Sequence, residues 1–85
     1  MARKLLVVAR DKPVEALRVA AGLTLADAEL RVLVLGGLPE GEQAETQLEA
    51  LAFADVVPQS LPRDGPAGWA AVASAIVDSD AVYLL

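Results

Sequence analysis

Lys4-Leu5-Leu6-Val7-Val8-Ala9 is a continuous apolar run headed by one charge, and the fold turns on how it is read. A strand wetted on one face alternates apolar with polar residues. An unbroken run belongs instead to a strand covered on both faces, as in a parallel sheet. Arg10-Asp11-Lys12-Pro13 then turns the chain, and Pro13 suits the first turn of a helix with Asp11 or Lys12 near its cap. Val14, Leu17, Ala21 and Leu25 follow at helical spacing with Glu15 and Arg18 on the other side, which predicts a helix from about Val14 to Ala26.

The same alternation continues outward. Leu30 to Leu35 reads as a second strand closed by Gly36-Gly37. Glu40, Glu42, Glu45 and Glu49 mark a second helix, whose first turns favour negative charge through the macrodipole, with a core stripe of Ala44, Leu48, Leu51 and Ala52. Asp55 to Val57 predicts a short third strand cut off by Pro58, and Gln59 to Pro66 a loop. Pro66 opens a third helix on which Trp69, Val72, Ala73 and Ile76 share one face; Asp78-Ser79-Asp80 ends it, and Ala81 to Leu85 is the fourth strand. Strands alternating with helices over short connections predict an α/β fold: a small open parallel sheet of four strands flanked by three helices, as one domain over residues 1–85. Strand order 2-1-3-4 is expected by analogy with flavodoxin-like sheets.

Composition narrows the function classes. The 85 residues are 55% hydrophobic, with a mean hydropathy of +0.47, and seventeen alanines account for only part of that surplus. A chain this short is marginally stable alone, so a subunit interface is the simplest place for the remainder. No apolar run approaches the ~20 residues of a membrane span. The start resembles a secretory signal only faintly, since its apolar stretch runs straight into Arg10-Asp11-Lys12; a cytoplasmic address is expected. The net charge of −5 offers no basic surface for nucleic acid. There is no cysteine and no histidine, which removes the residues of most nucleophilic, metal and neutral-pH proton chemistry. No catalytic residue, metal ligand set or cofactor is assigned, and the chain leans away from being an enzyme.

Two stretches together carry a resemblance. Lys4-Leu5-Leu6-Val7-Val8-Ala9, a helix and Leu30-Arg31-Val32-Leu33-Val34-Leu35-Gly36 look like the opening of DsrE/DsrF-like proteins. Gly68-Trp69-Ala70 through Asp78-Ser79-Asp80-Ala81-Val82-Tyr83-Leu84-Leu85 looks like their closing helix and strand. The resemblance implies a small subunit that associates with copies of itself or with a related chain, often in sulfur relay. Active members of that family carry a persulfide on a cysteine near the end of a middle strand. The matching region here, Val57-Pro58-Gln59-Ser60, has none, and serine cannot replace a soft, readily ionised sulfur. The resemblance therefore implies a non-catalytic member.

Ligands of an open parallel sheet sit beyond the carboxyl ends of its strands. Those ends bring forward Arg10, Asp11, Gln59, Ser60 and Arg63, a set able to hold a small anion through guanidinium forks and helix-terminal amides. The plainer account is that Asp11 caps the first helix and the arginines are solvated. Gly36-Gly37 reads as a turn, since the segment after the first strand has no glycine and no G-x-G-x-x-G fingerprint exists. Glu42, Glu45 and Glu49 read as a solvated helix face and Asp78 and Asp80 as structural. Trp69 and Tyr83 are candidate interface anchors.

Overall fold

The computed structural model describes residues 3–85. Its elements are β1 (Arg3–Ala9), α1 (Pro13–Leu23), β2 (Ala28–Leu35), α2 (Glu42–Phe53), β3 (Gln59–Leu61), α3 (Pro66–Val77) and β4 (Ala81–Leu84). β1 pairs in parallel with β2 and with β4, and β2 pairs in parallel with β3. The described residues thus form an α/β fold with one open sheet of four parallel strands and three helices.

The strand order is β3-β2-β1-β4, which corrects the expected 2-1-3-4. The expected order put the third strand inside the sheet. β3 is three residues long and its Gln59 and Ser60 are exposed, so it fits only at an edge. The two strands with long apolar runs take the centre. Val7, Ala9, Val32 and Val34 face Ala16, Leu17 and Ala20 of α1 and Leu51 of α2. Leu6, Val8, Leu33, Leu35 and Leu61 face Val72 and Ala75 of α3 on the other side. Two crossovers step one way from β1 to β3 and the third returns across the sheet to β4. Right-handed connections then require α3 on the opposite face from α1 and α2, as observed.

Other boundaries shift for local reasons. The expected third strand at Asp55–Val57 is instead the exit from α2. Asp55 takes a φ of 60°, its amide donates to Ala52 O at 3.0 Å, and the Val56 amide donates to Leu51 O at 2.9 Å. This is a Schellman closure, with Val56 folded back onto the core beside Leu51. The strand begins only after Pro58. α1 stops at Leu23 rather than Ala26, where the Thr24 hydroxyl donates to Ala21 O at 2.6 Å, and Leu25 is left exposed.

The sheet-facing stripe of α3 is also rotated from expectation. Gly68, Val72 and Ala75 are buried, whereas Trp69 and Ile76 are 42% and 45% exposed. Gly68 explains the rotation, since a Cβ there would lie 2.0 Å from Pro62 O. The helix can approach this backbone only by presenting its glycine. In a right-handed β3–α3–β4 crossover, the flank carrying Trp69, Ala73 and Ile76 is then the one on the β4 side.

Candidate functional site

The helix that follows β1 and the helix that precedes β4 lie on opposite faces of the sheet, so the switch in strand order lies between these neighbours. A shallow cleft of about 300 Å³ opens there, lined by Arg10, Asp11, Lys12, Leu84 and Leu85. The order 3-2-1-4 is that of the first four strands of a dinucleotide-binding sheet, where a pyrophosphate rests on free amides at the start of the first helix. In this chain the two amides that lead into the helix are occupied, while those of Val14 and Glu15 in its first turn have no acceptor among the described residues. The Asp11 and Lys12 N–H groups both donate to the Leu85 carbonyl, at 3.0 and 2.8 Å, and Pro13 has none to offer.

Asp11 does not cap α1. Lys12 holds the cap position with no side-chain bond to the helix. The Asp11 carboxylate instead accepts from Arg10 Nε at 2.8 Å and from Arg63 Nη2 at 3.1 Å. Arg63 also donates through Nη1 to the Arg10 carbonyl. The Arg10 guanidinium bonded to Asp11, with Arg63 adding to it, holds the Asp11 carboxyl below the usual aspartate value, outweighing the opposing effect of desolvation. One carboxylate thus engages both guanidinium groups, and the three side chains are each about half exposed.

The structure therefore brings together three of the five expected site residues, Arg10, Asp11 and Arg63. The other two lie apart from them. The Ser60 hydroxyl donates to the Gly36 carbonyl, fastening β3 to the end of β2. Gln59 opens β3 in register with Leu33, two residues short of the strand's carboxyl end. Gly36 takes a φ of 96° and its amide donates to Leu61 O at 2.8 Å, so this glycine serves a turn that closes β2 onto β3. Lys12, Leu84 and Leu85 were absent from the sequence-based site; they enter it only once β4 is known to lie beside β1.

A larger hollow of about 380 Å³ lies at the opposite end of the strands, lined by Lys4, Glu29, Leu30, Arg31, Asp78 and Ser79. The Asp80 carboxylate is structural there, accepting from the Lys4 amide at 2.7 Å. Among the described residues no group of three or more histidine, cysteine, aspartate or glutamate side chains is placed to hold a metal ion, and no helix is long and apolar enough to cross a membrane. Tyr83 stands on the α1 side of β4, in register with Val7, and is 39% exposed. No protein-family model, curated protein or solved structure matches the chain.

Proposed function

We propose that this chain is a non-catalytic, DsrE/DsrF-like subunit of a small cytoplasmic assembly, with a structural or partner-binding role linked to sulfur relay. The observation that carries the reading is the apolar surface beside β4. Trp69, Ile76, Val82, Tyr83 and Leu84 are all exposed, and no charged residue interrupts Ala81 to Leu85. Surface of this kind in so small a chain marks an interaction site. The absence of cysteine and histidine from the sequence supports a non-catalytic role. Light scattering coupled to size exclusion across a concentration series tests it: a stable oligomer is expected, and a monomer at tens of micromolar overturns it.

A second reading is a small-anion module at the switch point, favoured by the convergence of Arg10 and Arg63 there. An anion would have to displace Asp11 from at least one guanidinium, because that carboxylate engages both of them. Thermal shift against phosphate and sulfur oxyanions tests this reading. A hundredfold excess over Kd stabilises by about 2.7 kcal/mol, and Arg63→Ala should abolish the shift. A flat response in the wild type disposes of the anion site.

A further inference from the structure

We infer that two copies of this chain join through β4 about a two-fold axis normal to the sheet, making one continuous eight-stranded sheet. The inference rests on the subunit reading and names its surface and partner. Four observations carry it.

The first is the backbone. The Leu85 amide donates inward to Val8 O at 2.9 Å, so alternation turns Ala81 and Tyr83 toward β1 and leaves the N–H and C=O of Val82 and Leu84 facing outward. A two-fold axis passing at Tyr83 sets Val82 opposite the second copy's Leu84. Both such pairs then exchange both of their hydrogen bonds, and the two Tyr83 residues face each other as a non-hydrogen-bonded pair.

The second is the contrast between the two edges. β3 shows exposed Gln59 and Ser60 over three residues, a blunted edge. β4 shows Val82, Tyr83 and Leu84, with no lysine, proline or bulge to discourage pairing.

The third is the surface on either side of the strand. Val82 and Leu84 are in register with Leu6 and Val8 and so share the face of α3. The Trp69–Ala73–Ile76 flank of α3 rises beside them. An axis normal to the sheet keeps both α3 helices on one face, antiparallel, with these flanks opposed. Trp69, Ile76, Val82, Tyr83 and Leu84 are 39–55% exposed, and these side chains together with the strand backbone and its rim are the surface from which a contact of about 800 Å² per partner, the size of stable interfaces, would be built.

The fourth is charge. Asp78 and Asp80 lie where β4 begins, and Arg10, Asp11 and Lys12 lie beside Leu84 and Leu85 where it ends, the one carboxylate there being outnumbered by Arg10, Lys12 and the Arg63 bonded to it. Antiparallel pairing sets the acidic end of each copy against the basic end of the other. No like charges meet along the strand, although each copy carries −5 overall.

The test uses the whole chain and two variants. Wild type is expected at twice the 8.8 kDa chain mass. Leu84→Lys, at a side chain already 55% exposed, is expected to keep the circular dichroism of the fold and to weaken dimerisation at least tenfold. Tyr83→Cys introduces the only thiol of the chain and should form a covalent dimer with oxidised glutathione, since opposed residues of such a pair lie within disulfide reach. A dimer that resists Leu84→Lys and leaves Tyr83→Cys uncrosslinked overturns this surface while the subunit reading stands. A trimer or hexamer overturns the two-fold pairing in the same way. A monomer at every concentration overturns both.

Discussion

Two glycines in helices of similar length face opposite fates if replaced by alanine. Gly22 in α1 has nothing within 4 Å of an added Cβ, whereas at Gly68 in α3 the Cβ would meet the Pro62 carbonyl at 2.0 Å. Gly22→Ala should therefore raise stability by about 0.5–1 kcal/mol through helix propensity. Gly68→Ala should lower it by about 2 kcal/mol or more, because the intruded group is backbone and cannot swing aside. Urea denaturation of the two variants checks both signs. Asp11 gives a pH signature at the same scale. Its carboxyl is held below the ordinary value of 3.8 in the folded state, so its contribution is fully present above the unfolded pKa and is lost as pH falls through the folded one. Wild type should thus exceed Asp11→Asn in Tm by a constant amount near neutral pH, and the gap should close below about pH 4. Measuring Tm for both from pH 7 down to 2.5 shows whether it does.

Of the helices, α2 has the least burial to hold it: only Ala44 and Leu51 are fully buried, and Leu48 and Val56 pack partly around them. Leu51→Ala removes most of that anchorage and should cost about 2–5 kcal/mol, read as a drop in the denaturation midpoint. Three of the four strands and the three helices were legible in the sequence, because each central strand is apolar on both faces and Pro13 and Pro66 mark two helix starts. The rotation of α3 was not, since hydrophobicity alone nominates Trp69 and Ile76 and says nothing of the backbone that Gly68 must clear. The third strand was misplaced because Asp55–Val57 is locally as strand-like as Gln59–Leu61, and only the closure at Leu51 separates helix exit from strand. The site shows the same division. Arg10 and Asp11 follow the first strand and were visible, while Leu84 and Leu85 join them through a strand order that no local pattern encodes.

At the scale of the whole molecule, self-pairing through β4 makes stability depend on concentration: the Tm of wild type should rise with protein concentration and that of Leu84→Lys should not. The arrangement of β1 has a kinetic consequence as well. Its two neighbours arrive from very different distances along the chain, Leu5 meeting Leu30 on one side and Ala81 on the other. Chain-closure entropy alone separates these contacts by only about 1 kcal/mol, but the order in which the residues become available separates them completely. On the ribosome β1, α1 and β2 can pair while β4 is still unmade, and until residue 85 emerges the second edge of β1 and the amides of Asp11 and Lys12 have no partner. The most deeply buried of the described strands is therefore half covered until β4 is made. Docking of β4 is the natural last step, so weakening substitutions within it should speed unfolding far more than they slow folding, a split that stopped-flow chevrons would resolve.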